Sequence, residues 1–305
     1  MSKRRHEAMR KTWSWSACGY VFVGMEVCFE RIFEVCRDAG FAGIEGAAPL
    51  FEGMSEGELE RTATVFRNAG VQIETFHLPF GPANDLACFY ETRRREAVQT
   101  AAFWIERAAL LGASVCVQHP TTDHSGTDVE GVDPYLRQLG KSLEVLLPAA
   151  ERLGVCIAME NMLPLGGSHF GSRTEHFRRM LKEFEHASFG FCLDTGHALV
   201  AGGPDGAPAF LETMRPHLQA FHLSDTAGDR DIHVAPGHGL VDWRSVFRGM
   251  AELSFDKPAC IETAPFAHGP DYSTEAWRTL VQETEQLVRG SFEAEISSGI
   301  GTSLQ

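Results

Sequence analysis

The sequence predicts an α/β chain of one domain, a (β/α)8 barrel in which eight parallel strands each precede a helix. Three observations carry that reading. Eight short, nearly continuous apolar runs alternate with helical stretches, as expected of strands buried on both faces. Five of the runs close on an acid or a histidine: His119 after VCVQ, Glu160 after VCIAM, Asp194 after GFCL, His222 after LQAF and Glu262 after PACI. In a parallel barrel the carboxyl ends of all strands meet at one mouth, where active sites are built. Finally, no GxGxxG follows the first run and no P-loop occurs, which argues against an open nucleotide-binding sheet.

Along the chain, WSWSACGYVF (13–22) is the first strand and MEVCFERIFEVCRDAG the first helix, ending on Gly40, a favoured C′ residue. FAGIEGA and SEGELERTATVFRNAG form the second unit, which stops on Gly70. VQIETFH is strand three, followed after a long loop by TRRREAVQTAAFWIERAALLG. ASVCVQH and YLRQLGKSLEVLLPAAERLG form the fourth unit. VCIAME, FGFCLD, LQAFHL and KPACIE are strands five to eight, with helices expected near 173–186, 207–218, 242–253 and 272–288. At 305 residues the chain fits one barrel of roughly 250 residues with tails. The barrel is placed at 13–290, with loose tails at 1–12 and 291–305.

Side-chain alternation adds a check. Positions two and four apart in a strand share a face. Cys156 and Ala158 then lie beneath Glu160, Cys192 beneath Asp194, Ala220 beneath His222 and Cys260 beneath Glu262. Small residues under polar ones suit a crowded barrel interior with a polar top layer.

Composition narrows the partners. The formal net charge of −14 runs against nucleic acid, whose binders neutralise phosphates with basic surface. Arg93, Arg94 and Arg95 read as a solvated helix face. No apolar run approaches the roughly 18 residues of a membrane span, and the basic start MSKRRHEAMRK lacks the apolar stretch of a signal peptide. A cytoplasmic protein is expected, without a membrane or nucleic-acid partner. The eight cysteines form no CxxC pair and read as reduced packing residues.

Glu160, Asp194, His222 and Glu262, brought together, make an oxygen-rich site for a hard divalent ion. Buried without a cation they would repel one another and lack partners. A second set surrounds them: His77 in ETFHLPF, His119 in QHPTTDH, His197 in DTGH, and Asp231 and His233 in DIH. His124, His169, His217 and His268 read as surface or loop residues. Trp13, Trp15, Phe80 and Phe266 are candidate apolar walls, with plain packing the expected role of the tryptophans.

LDTGHA, FHLSD followed by DRDIHVAPGHGLVDW, and a late strand ending in IE resemble the xylose isomerase-like TIM barrels, from about residue 70 to 265. The D-x-H-x-x-P-G-x-G-x-x-D-W stretch from Asp231 to Trp243 is similar to the sugar phosphate isomerase/epimerase group. The resemblance implies one divalent ion on Glu160, Asp194, His222 and Glu262, usually manganese, with zinc, cobalt or magnesium as alternatives. It further implies that the two glutamates move a proton at a substrate carbon. His197 would contact substrate oxygen and Arg230 a distal hydroxyl or phosphate, with His77 and His119 as further contacts. The nuclease branch of the same superfamily, the endonuclease IV type, holds three zincs. His77, His119, His197, Asp231 and His233 match its additional ligand types, which keeps a multi-zinc site open.

The expected activity is therefore sugar or polyol isomerisation or epimerisation, by proton transfer next to a carbonyl through a metal-stabilised enediolate. Dehydration of an inosose-type substrate, or cleavage of a 3-keto-glycoside, uses the same apparatus. Phosphoester hydrolysis by clustered zinc is a different class, and a non-catalytic barrel a third. The sequence does not identify the sugar, its phosphorylation or the oligomeric state, for which a homo-oligomer is one option.

Overall fold

A computed structural model describes residues 13–23, 28–121, 126–165, 168–253, 255–264 and 273–299, with side chains described to residue 292. Eight strands close into one parallel barrel in sequential order. They are β1 (Trp15–Cys18), β2 (Gly43–Ala47), β3 (Thr75–His77), β4 (Val115–Gln118), β5 (Cys156–Glu160), β6 (Phe189–Asp194), β7 (Leu218–Leu223) and β8 (Ala259–Ile261). Closure is made by β1 against β8, with Ala17 opposite Ile261. Strands β6 and β7 match the expected FGFCLD and LQAFHL, and the other six are shorter than expected, because their runs continue into residues outside the hydrogen-bonded ladder.

The helices are α1 (Phe29–Ala39), α2 (Glu56–Asn68), α3 (Glu91–Leu111), α4 (Thr127–Glu130), α5 (Asp133–Leu153), α6 (Thr174–Glu183), α7 (Thr195–Gly202), α8 (Gly206–Met214), α9 (Trp243–Ala251) and α10 (Thr274–Gly299). Gly40, Gly112 and Gly154 end α1, α3 and α5 in the left-handed conformation that glycine adopts without a steric penalty. Two differences from the sequence reading stand out. The helix expected at 207–218 stops at Met214, two residues before Pro216, which cannot continue it. The stretch from 291, expected as a loose tail, is helical as far as Gly299. The expected tail at 1–12 lies outside the described residues.

Two apolar layers result. The larger packs helices on the outside of the strands, around Phe66, Phe76, Phe177, Phe191, Phe247 and Trp277. The smaller fills the barrel interior with Val115, Val117, Ala158, Cys192 and Ala220. The three interior residues from β5 to β7 lie two positions before Glu160, Asp194 and His222, so the expected alternation holds there. All eight cysteines are free. No helix among the described residues is long and apolar enough to cross a membrane.

Candidate metal centre and cleft

Strand register brings the acids and histidines together. Asp194 pairs with His222, Glu160 pairs with Cys192, and His222 pairs with Cys260, two residues before Glu262. The register shifts between Phe191 and Cys192, which pair with Leu218 and Ala220 and leave Gln219 of β7 as the extra residue. Glu160, Asp194, His222 and Glu262 each offer a ligand atom, and these four atoms lie within 4.8 Å of one another. Asp194 and His222 are fully buried, while Glu262 keeps 15% of its side chain exposed.

The other histidines converge on the same carboxylates. His77 Nε2 and His119 Nε2 each lie 3.4 Å from Glu160 Oε2. His197 Nε2 lies 3.4 Å and His233 Nε2 2.7 Å from Asp231 Oδ2. His77, Glu160 and His222 form a second close group, and His197, Asp231 and His233 a third. His77, Glu160, His119, His197, Asp231, His233 and Glu262 line a cleft of about 530 Å³, together with Cys18, Tyr20, Phe80, Met162 and Thr263.

The hydrogen bonds on the far side of each ring decide what it offers. The Nδ1–H groups of His77, His197 and His233 donate to the carbonyls of Leu78, Asn161 and Glu262, each at 2.8 Å. Their Nε2 atoms then face carboxylates as lone pairs when neutral. His222 is turned the other way. Its Nε2 lies 3.1 Å from both oxygens of Glu45, while Nδ1 faces Glu262 Oε2 at 3.0 Å and Glu160 Oε1 at 3.3 Å.

Acceptors thus confront acceptors. Glu160 Oε2, Asp194 Oδ2, His222 Nδ1, Asp231 Oδ1 and Glu262 Oε2 are buried without a hydrogen-bond partner. Each such atom costs about 1–3 kcal/mol or more. Extra protons or a shared cation relieve that cost. Without a cation the protons go to histidine and to Asp194. Burial opposes charge on His222, yet Cys192, Glu262, Glu45 and Glu160 hold its pKa well above the ordinary value. Against the same burial penalty, Asp231 and its carboxylate neighbours raise His233 to about 10. Burial pushes Asp194 up to about 8, assisted by Glu262 and Glu160 and opposed by His197. The donor set and its orphaned atoms fit a divalent ion.

Local structure explains how the site is held. Asp194 caps α7, accepting from the His197 backbone N–H at 2.5 Å, so His197 sits in a first helical turn, not in a loop. Asn161 clamps the neighbouring strand end: its side chain accepts from Asp194 N–H and donates to the Asp194 carbonyl, both at 2.8 Å. The Asp231–Trp243 stretch is organised by Asp225, whose carboxylate accepts from the N–H groups of Gly237 and Val241 and from the Trp243 indole. Within it His233 has φ +43°, a conformation uncommon outside glycine and asparagine.

Some expected residues lie elsewhere. Arg230 is exposed beside Asp229 and does not line the cleft. Trp15 is core, and Trp13 stacks on Phe247 at 5.4 Å. Phe80 does line the cleft, whereas Phe266, His124 and His268 are outside the described residues. His169, expected as a surface or loop residue, lies in a loop and is buried. Glu45 and Asn161 were not singled out in the sequence. The G-I-E-G run around Glu45 carries no polar strand-end signal, because Glu45 lies inside β2 and not after it. Asn161 directly follows Glu160, and that adjacency was its available signal.

A family model described as "Xylose isomerase-like TIM barrel" matches residues 33–286. An uncharacterised protein, y4fM, of Sinorhizobium fredii is 24% identical over 75% of this chain and 79% of its own length. A probable endonuclease 4 of Geobacter sp. is 29% identical over 47% of this chain, a match spanning 54% of that protein. The crystal structure of a D-tagatose 3-epimerase-like protein superposes with a TM-score of 0.73, covering 91% of this chain and 98% of that one at 22% identity. That of D-psicose 3-epimerase in the presence of D-fructose gives 0.74, covering 90% and 99% at 15% identity. These structural likenesses show the fold.

Proposed function

The chain belongs to the xylose isomerase-like TIM barrels, and from that premise we propose that it is a divalent-metal-dependent isomerase or epimerase of a sugar or polyol. The observation that carries this is a division within the ligand group. Glu160 and Glu262 line the cleft, whereas Asp194 and His222 do not. Only the two glutamates thus face both the cation position and the space for a substrate, as residues that move a proton at a bound carbon must.

Glu160, Asp194, His222 and Glu262 would hold the ion, with manganese first in expectation. When bound, it supplies Lewis acidity to a carbonyl and the adjacent hydroxyl. Glu160 takes the proton from the carbon next to the carbonyl and Glu262 returns one, or the reverse. His197 Nε2, with Nδ1 held by the Asn161 carbonyl, orients a substrate oxygen. Phe80, stacked on His119 at 4.9 Å, offers an apolar wall for a sugar's C–H face. No lysine or arginine is among the described cleft-lining residues, which supports an uncharged substrate over a phosphorylated one.

The test is proton exchange. Incubation with candidate ketoses in D2O should place deuterium on the carbon beside the carbonyl. Glu160→Gln, Glu262→Gln and metal removal should each abolish it. Exchange surviving all three changes refutes the mechanism.

A second reading rests on the two further histidine groups, which would suit a multi-zinc hydrolase acting on phosphoesters. The net charge of −14 and the lack of lysine and arginine in the described lining weigh against a nucleic-acid substrate. Metal counting separates the two: one ion per chain favours proton transfer, and three zincs favour hydrolysis.

A further inference from the structure

We infer that Glu45, on the opposite side of His222 from the proposed ion, is a positioning residue that makes His222 a strong Nδ1 ligand. This rests on the metal reading above and extends it to a residue outside the ligand group. Glu45 is 1% exposed and comes from β2, across the barrel from β7. Both its oxygens lie 3.1 Å from His222 Nε2, Oε2 with hydrogen-bond geometry. Among the described residues no lysine or arginine pairs with it, so His222 is its one ion-pair partner there.

A buried ion pair is weak evidence for stability: replacing both partners by apolar residues is frequently neutral or stabilising, whereas removing one strands the other. A buried acid whose one described partner is a histidine of the ligand group therefore points to a purpose at that group. Its placement identifies that purpose. By accepting the Nε2–H it leaves the Nδ1 lone pair facing the Glu160 and Glu262 carboxylates, where it would serve a cation held by the group. By being an anion it makes that nitrogen more basic than a carbonyl partner would. His77, His197 and His233 are anchored by neutral backbone carbonyls instead. His222 is thus the histidine with the most strongly polarised anchor, in the group where four ligand atoms already converge.

The surrounding backbone keeps Glu45 still. A Cβ at Gly46 would fall against the Phe76 ring, and one at Gly19 against the Glu45 carbonyl oxygen. Cys18, paired in register with Glu45, and Cys260 present sulfur atoms within 4.8 Å of a Glu45 oxygen.

The experiment titrates Mn2+ into metal-free full-length protein by calorimetry, with thermal unfolding measured at each stage. Glu45→Leu should weaken Mn2+ binding roughly 10- to 100-fold, the range for loss of an outer-shell carboxylate. Its metal-free melting temperature should also fall, because the His222 Nε2–H loses its acceptor. Glu45→Gln keeps an acceptor for Nε2–H and should recover part of the affinity. A merely structural role would instead lower metal-free and metal-loaded melting temperatures equally and leave Mn2+ affinity alone. Binding within twofold of wild type in both variants overturns the assignment of Glu45 while leaving the metal centre standing. Failure of the wild type itself to bind Mn2+ overturns both.

Discussion

The Trp243 indole N–H donates to Asp225 Oδ2 at 2.6 Å, joining the end of β7 to the first residue of α9. The same carboxylate takes the Gly237 and Val241 N–H groups at 3.0 Å each. The loop carrying Asp231 and His233 is therefore tied at its exit by one buried acid. Asp225→Ala should strand four donors, those three and the Thr226 N–H, and destabilise the fold by about 3 kcal/mol or more, given about 1.5–3 kcal/mol for a hydrogen bond to a charged group. Urea unfolding measures the loss. An effect below about 1 kcal/mol would contradict the scaffold role.

Asp194 separates stability from binding. Its Oδ1 caps α7, while Oδ2 is buried without a partner. Asp194→Asn retains an oxygen for the cap and removes the carboxyl group that would ionise to hold a cation. The metal-free variant should melt no lower than the wild type. Wild-type protein in Mn2+ at 100 times its Kd should gain about 2.7 kcal/mol, and the variant should gain almost none. Equal gains for both would remove Asp194 from the ligand group.

The position of His197 depends on close packing between α7 and α8. A Cβ on Gly206 would lie 2.8 Å from the Ala198 carbonyl carbon, with the carbonyl oxygen closer still. Backbone cannot rotate aside as a side chain does. Gly206→Ala should cost about 1–3 kcal/mol through overpacking. It should also raise KM for the sugar by moving His197. Denaturant midpoints and steady-state kinetics check the two effects.

His176, remote from the cleft, supplies a pH dependence. Its Nδ1 accepts the Gly171 N–H at 3.0 Å, so the ring is built in as neutral. Burial, with Arg173 and His169 nearby, lowers its pKa to about 4. The unfolded chain binds this proton near pH 6.5 and the folded chain only near 4, so stability falls as pH drops through that window. A depression from 6.5 to about 4, at ~1.36 kcal/mol per pH unit, corresponds to up to about 3 kcal/mol. Stability of wild type and His176→Asn, measured from pH 7.5 to 4, should diverge by an increasing amount below pH 6.5. Parallel curves would refute it.

The sequence by itself determined the barrel and most of its polar mouth. Apolar runs alternating with helices leave a parallel sheet few other solutions, and strand ends of a closed barrel must converge. Glu160, Asp194, His222 and Glu262 were legible because each closes an apolar run, a local signal. Tertiary structure decided the rest. Glu45 meets His222 across the barrel from a sequence distance of 177 residues, and no local pattern encodes which nitrogen of a ring faces inward. Arg230 stands in the expected segment, yet the path of the Asp225-tied loop leaves it in solvent. Periodicity reports which face of a strand is buried. Which buried groups touch depends on register, closure and ring orientation, and those exist only once the chain has folded.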